Sequence, residues 1–150
     1  YGNKSDLIHQ LYIIFAKKRS MNLIKVSAIS GALAVILGAF GAHTLKQHLT
    51  PEQLQTFETG VRYHFYHSLA LLGCGMLQLM GFEKQVKTPA ILFLSGILFF
   101  SGSVYLLATR SLLHIENWSW LGPVTPIGGL FFIAGWLSLA FATYSTASRK

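Results

Sequence analysis

The chain reads as an all-α integral membrane protein, an antiparallel four-helix bundle with both termini in the cytoplasm. Four stretches, at about residues 26–42, 63–82, 88–109 and 118–148, are nearly free of charge. Each is long enough to supply the roughly 20 apolar residues that a helix needs to cross a bilayer's hydrocarbon core. Hydrophobic residues make up 52% of the chain and charged residues 11%, against roughly 25% charged in soluble domains. That leaves too little polar surface for a water-soluble monomer. No polar stretch exceeds about 20 residues, too short for a core of its own. Residues 21–150 therefore form one membrane domain, with spans at about 23–43, 61–82, 88–109 and 126–146.

Residues 1–20 stand apart. The first methionine is Met21, and Met21-Asn22-Leu23-Ile24-Lys25 has the pattern of an ordinary membrane-protein start. Residues 1–20 are expected to be a non-native upstream extension. The other reading is a short interfacial helix with Leu7, Ile8, Leu11, Tyr12 and Phe15 on one face, ending in Lys17-Lys18-Arg19. The first span is not read as a cleaved signal, because no small-x-small site followed by a soluble domain succeeds it.

The first span carries Ser30, Ala34, Gly38 and Ala42 at a spacing of four. Lipid tails are as apolar as leucine, so helices associate in a bilayer through small residues that let backbones approach. The second helix begins before its span: Thr50-Pro51-Glu52-Gln53 offers an N-cap, a proline at the first helical position and a capping-box glutamine. Continued to residue 80 it is about 45 Å long, so its first turns lie at headgroup level or bend at Gly60. For the third span, residues 83–87 are expected to be the connection, with Thr88 as cap and Pro89 in the first turn. Ser95 and Gly102 lie a heptad apart on it. For the fourth, residues 122–125 are expected to be non-helical and the regular helix to begin at Pro126. Ala134, Ser138 and Ala142 repeat at four there. The expected packing residues are thus Ala34, Gly38, Ala42, Gly102, Ala134 and Ser138.

The formal charge of +7 is a topology signal rather than a nucleic-acid one, since no basic patch sits on a soluble element. Nine Lys and Arg fall on the side of the termini and three on the other, or five against three without residues 1–20. The excess marks the cytoplasmic face. The one cysteine, Cys74, is in mid-span and excludes an internal disulfide or a cysteine metal cluster.

Polar residues gather where the second helix enters the membrane. His64 and His67 are neighbours three apart, His43 ends the first span, and Glu58, Arg62 and Tyr63 lie beside them. Ionisable residues near a span usually face the bundle interior or a water cavity. Three readings compete: a structural polar lock; a proton-sensing or proton-passing site, since histidine titrates near neutrality; and a metal or haem site on His43, His64 and His67. Gln78, Ser101, Ser103 and Tyr105 can hydrogen-bond between helices. There is no nucleotide loop, nucleophile elbow or glutamate-backed zinc motif, and no cofactor is assigned.

Four motifs then carry a resemblance. Gly38-Ala39-Phe40-Gly41-Ala42-His43, the run from Thr59-Gly60-Val61-Arg62-Tyr63-His64 through Phe65-Tyr66-His67-Ser68-Leu69-Ala70-Leu71, Phe100-Ser101-Gly102-Ser103-Val104-Tyr105 and Thr125-Pro126-Ile127-Gly128-Gly129 together resemble domain of unknown function 423. Its eukaryotic relatives are the transmembrane protein 256-like proteins. The resemblance covers about residues 21–141. It implies a four-span inner- or plasma-membrane protein and places His43, Arg62, Tyr63, His64 and His67 in the shared motif, but supplies no activity, substrate or cofactor. The expected role is a non-enzymatic structural or accessory component of the membrane. The alternatives are a small oligomeric transporter or channel, and a histidine-based site including an enzyme. The expected partners are the lipid bilayer and either further copies or a larger membrane complex, with no nucleic acid.

Overall fold

A computed structural model describes residues 22–115 and 117–147, with side chains described through residue 142. Both readings of residues 1–20 fall outside that set. Four helices follow in order: α1 Leu23–His43, α2 Pro51–Leu79, α3 Glu83–Thr109 and α4 Leu121–Ala147. A single 3-10 turn, Leu45–Gln47, joins the first two. The central pair α2–α3 is flanked by α1 against α2 and α4 against α3.

Local chemistry sets the helix ends. Asn22 caps α1, its side-chain oxygen accepting from the Lys25 amide at 3.1 Å. At α2 the expected capping box forms: the Thr50 hydroxyl accepts from the Gln53 amide (3.3 Å), and the Gln53 side chain accepts from the Thr50 amide (3.0 Å). Pro51 takes the first position, where its missing N–H costs nothing. Glu52 follows in the first turn; hydrogen bonds from its own backbone N–H and then from Thr50 hold its carboxyl below the usual range. At the far end Gly81 adopts φ 95°, the left-handed conformation that glycine enters without strain. The Gly81 amide donates to the Gln78 carbonyl (3.1 Å) and the Phe82 amide to that of Leu77 (3.0 Å), a Schellman closure that reverses the chain in three residues.

Three helices, α1, α3 and α4, are long and apolar enough to cross a membrane. α2 is more polar but lies along the whole of α1. The Leu23 amide donates to Gln78 (3.3 Å), Gly75 abuts Ile24, Gly38 faces Val61 and Gly41 faces Phe57. α2 therefore runs antiparallel to α1 through the same depth, with its polar side chains His64, His67 and Ser68 buried.

Two helices begin earlier than expected. α3 starts at Glu83, so residues 83–87 are its first turn and not a connection, Thr88 is not a cap and Pro89 is interior. Packing decides this: Val86, Ala90 and Phe93, at spacings of four and three, share one buried face, and that face requires helix before the proline. α4 starts at Leu121, so residues 122–125 are helical. Leu121 is buried on the same face as Gly128, a heptad away, and the Thr125 hydroxyl bonds Ser103 at 2.7 Å. Pro123 falls in the first turn, and Pro126 removes the one N–H that would bond the Gly122 carbonyl.

The small-residue faces are rotated from those expected. On α1 the buried residues are Leu23, Ser27, Ser30, Ala34 and Gly41; Ala34 is fully buried, Gly38 is half-buried and Ala42 is exposed. A strict spacing of four drifts by about 40° per step on a helix, whereas alternating threes and fours hold the seam against a partner. Gly102 has open space where a Cβ would stand, and Ala134 and Ser138 are only half-buried. The close contacts are Gly96 against the Phe132 ring, Gly135 against Phe93 (2.7 Å for an added Cβ), Gly60 against Tyr105 (2.8 Å) and Gly128 against the backbone of Phe100.

Phe100 is carried there by a π-helical turn, Ile97–Ser101, closed by the Gly102 amide on the Ile97 carbonyl. The turn inserts one residue. Its effect is a change of phase: α3 buries Phe93 and Gly96 and then Ser101, Val104 and Ala108, with a step of five from Gly96 to Ser101 where three or four would continue. Apolar clusters close both ends of the bundle. Leu45, Leu49, Phe57 and Ala108 pack at the α1–α2 loop. Leu23, Ala70, Leu71, Cys74, Val86, Ala90, Phe93 and Phe132 pack toward the opposite end.

Gly128→Ala should destabilise the bundle by about 2–3 kcal/mol or abolish folding, because its Cβ meets backbone that cannot rotate away. Gly102→Ala should be neutral or slightly stabilising. Thermal unfolding in detergent compares the two, and equal melting temperatures would refute this packing.

Candidate functional site

The two histidines of α2 occupy the middle of the bundle and reach every other helix. His64 Nε2 lies 3.1 Å from the Ser30 hydroxyl of α1, and His64 Nδ1 lies 3.2 Å from the Tyr105 hydroxyl of α3. Ser30 and Ser68 hydroxyls are 2.7 Å apart, and Ser68 donates to the His64 carbonyl at 2.8 Å. With a neutral imidazole, proton counting fixes every role. A carbonyl only accepts, so Ser68 spends its proton there. Ser30 must then donate to Ser68, His64 Nε2–H to Ser30, and the Tyr105 O–H to Nδ1. Four hydrogens fill four contacts with none left over, and His64 carries one ring proton, on Nε2.

His67, one turn on, uses the opposite tautomer. Its Nδ1 is 2.7 Å from the Tyr63 carbonyl and therefore donates to it; its Nε2 accepts from the Trp136 indole N–H of α4 at 3.2 Å. The ring stacks on Phe132 with centroids 3.4 Å apart and planes 10° apart, while Phe93 and Trp136 stand at 5.7 and 6.2 Å. Both nitrogens are again in use. Tyr63, which supplies the carbonyl, is 41% exposed and packs on Phe100 (4.7 Å).

The other residues singled out in the sequence do not join this pair. His43 and Glu58 are exposed. Arg62 is exposed and donates to Thr59 at 3.3 Å, so Glu58 and Arg62 do not form the helix ion pair that their spacing allows. Among the described residues, no three His, Cys, Asp or Glu side chains converge to hold a metal ion. Apart from the histidine contacts, the Ser103–Thr125 bond ties α3 directly to α4. Among the described residues, one buried side-chain polar atom lacks a partner, the Ser101 hydroxyl at the end of the π-helical turn.

The sequence pointed to Ser30 as a packing residue and to Tyr105 as interhelical glue, but not to Trp136 or Phe132. A signal for Trp136 exists: it lies in mid-span, away from the interface where tryptophan usually settles, and an indole N–H at that depth has no water to meet and needs a protein acceptor.

Comparison with known proteins places this arrangement in a group. Residues 37–129 match the family model described as "Protein of unknown function (DUF423)". The chain is 41% identical over 121 residues to the UPF0382 membrane protein YwdK of Bacillus subtilis, covering 79% of this chain and 93% of the relative. It is 37% identical over 121 residues to a UPF0382 membrane protein of Haemophilus influenzae, covering 81% and 92%. It is 37% identical over 110 residues to the UPF0382 inner membrane protein YgdD of Escherichia coli, covering 73% and 79%. No solved structure matches.

His64→Leu strands the Tyr105 donor and breaks the link to Ser30, and should cost about 2–4 kcal/mol at roughly 1–3 per orphaned group. Ser30→Ala removes two interhelical bonds and should cost about 1–2 kcal/mol, at roughly 0.6–1 each in lipid, and His43→Ala less than about 0.5. Unfolding in detergent checks the order; a His64→Leu cost no larger than that of the lipid-facing Leu69→Ala would remove the structural weight of the circuit.

Proposed function

We propose that this chain, which belongs to the DUF423 family of membrane proteins, is a non-enzymatic structural or accessory component of the membrane. The observation that carries this reading is the hydrogen-bond saturation of the histidine pair. All four ring nitrogens of His64 and His67 are engaged, and each acceptor nitrogen faces a donor. A metal ion needs a ring lone pair to coordinate, and here the one lone pair of each ring is taken, at His64 by the Tyr105 hydroxyl of α3 and at His67 by the Trp136 indole of α4. The rings instead do the work of bolts, holding α2 to α1, α3 and α4 and leaving an apolar exterior for lipid or for another membrane protein.

Placement follows from charge and kinship. The excess of Lys and Arg on the side of the termini supports a cytoplasmic location for both, and the Escherichia coli relative, an inner membrane protein by name, supports the inner, or plasma, membrane. Accessory action implies a partner, either further copies or a larger membrane complex.

Purification from native membranes in mild detergent is the direct test. A stoichiometric partner protein is the expected result; a bare homo-oligomer that conducts or exchanges solute in vesicles would overturn the reading. For orientation, a cysteine placed at Asn117 should react with a membrane-impermeant maleimide added outside intact cells, and one at Lys84 should not. The native Cys74 is fully buried and contributes little background.

A further inference from the structure

The seam between α1 and α2 opens on its lipid side into a groove of about 390 Å³, lined by Ala34, Val35, Gly38, Ala39, Val61, Arg62, Phe65 and Tyr66. A second hollow of about 210 Å³ shares Gly38, Val61 and Arg62 and adds Gly41, Phe57 and Glu58. The two form one furrow along the seam. Small residues on α1 create it; its lower walls are apolar, and the only charged side chains lining it, Arg62 and Glu58, stand toward the α1–α2 loop.

Depth matters here. Gly41 faces Phe57 and Gly38 faces Val61, so Glu58 lies level with the end of α1, where the membrane surface falls, and Arg62 lies about 6 Å deeper, one helical turn. Helical side chains lean toward their own N-terminus, which for α2 is the membrane surface. The Arg62 guanidinium does this and reaches Thr59. Long basic side chains near span ends extend to the interface in this way. Arg62 and Glu58 are not bonded to each other, so a cation and an anion one turn apart both remain available at headgroup depth.

We propose that this furrow binds one glycerophospholipid whose headgroup carries a phosphate and a primary ammonium, the phosphatidylethanolamine type. The phosphate pairs with Arg62, the planar guanidinium being suited to phosphate oxygens. The ammonium donates to Glu58, and an acyl chain lies along the exposed Val35, Ala39 and Phe65. Charge complementarity selects this occupant. An anionic headgroup would meet Glu58 with a like charge, and the methylated ammonium of a choline lipid has no N–H to donate. The site rests on the chain being membrane-embedded with α2 as a span, and not on the accessory role.

Native mass spectrometry of the purified protein from nanodiscs containing equal parts phosphatidylethanolamine, phosphatidylglycerol and phosphatidylcholine tests it. The expected result is preferential retention of one phosphatidylethanolamine per chain. Arg62→Gln should lower that retention about five- to tenfold, a typical loss for one charge-assisted contact. Glu58→Gln should erase the preference over phosphatidylglycerol. Ala39→Phe, which fills the acyl channel at an exposed position without touching a charge, should lower retention of every lipid. Indiscriminate retention, retention indifferent to both charge variants, or a lipid-free dimer closed over the furrow would each overturn the proposal. Unchanged melting of Arg62→Gln and Glu58→Gln separates loss of the site from loss of the fold, and a protein partner found in native membranes leaves the result untouched.

Discussion

Inside a bilayer no solvent is available to complete an unpaired hydrogen bond, and that constraint organises this molecule. α2 is the helix with most to hide: His64, His67 and Ser68 lie within the depth of the membrane and are buried. A lone histidine facing lipid would be costly. Placed at the centre and met by Ser30, Tyr105, Trp136 and the Tyr63 carbonyl, the pair becomes the means by which four helices recognise one another. A hydrogen bond in lipid adds only about 0.6 kcal/mol on average, because the separated helices also find partners. The circuit's value lies more in specificity: any rotation of α2 leaves several donors and acceptors unmatched at once.

Close packing supplies the rest of the association energy. Glycine is set closely against an aromatic ring four times, as Gly96 with Phe132, Gly135 with Phe93, Gly60 with Tyr105 and Gly41 with Phe57. Phe93 and Phe132 also flank the His67 ring, and Tyr105 is the donor to His64. The same side chains therefore serve both systems. Dispersion over these ring faces is small per atom pair and large in sum, and glycine lets the rings approach without displacing backbone.

The four motifs that mark the family pair off in space. The close of α1 packs on the opening of α2 through Gly38–Val61 and Gly41–Phe57, while the middle of α3 meets the start of α4 through Gly128–Phe100 and Ser103–Thr125. The histidines join the two halves. The π-helical turn is what lets one helix serve both: its extra residue turns the later part of α3 toward α2 after the earlier part has packed on α4. At the end of that turn the buried Ser101 hydroxyl has no partner.

Hydropathy, length and capping chemistry made much of the fold legible. The apolar stretches are read from composition because lipid demands about 20 such residues, and the α2 start is read from Thr50-Pro51-Glu52-Gln53 because cap preferences are local. The starts of α3 and α4 are not legible in this way: local proline and glycine rules point to later starts, whereas burial of Val86 and Leu121 on a continuing face outweighs them. Of the candidate site, His64 and His67 were visible as polar residues at helical spacing in a span. Their partners were not, nor was the separation of His43 from them, since no local pattern encodes which face of α1, α3 or α4 meets α2. By itself the sequence determined the solvent, the helical class and the polar residues that must be hidden, because each depends on composition and neighbours along the chain. Tertiary structure alone decided the helix rotations, the π-helical shift and the tautomer of each histidine, because these depend on atoms distant in sequence competing for the same contacts.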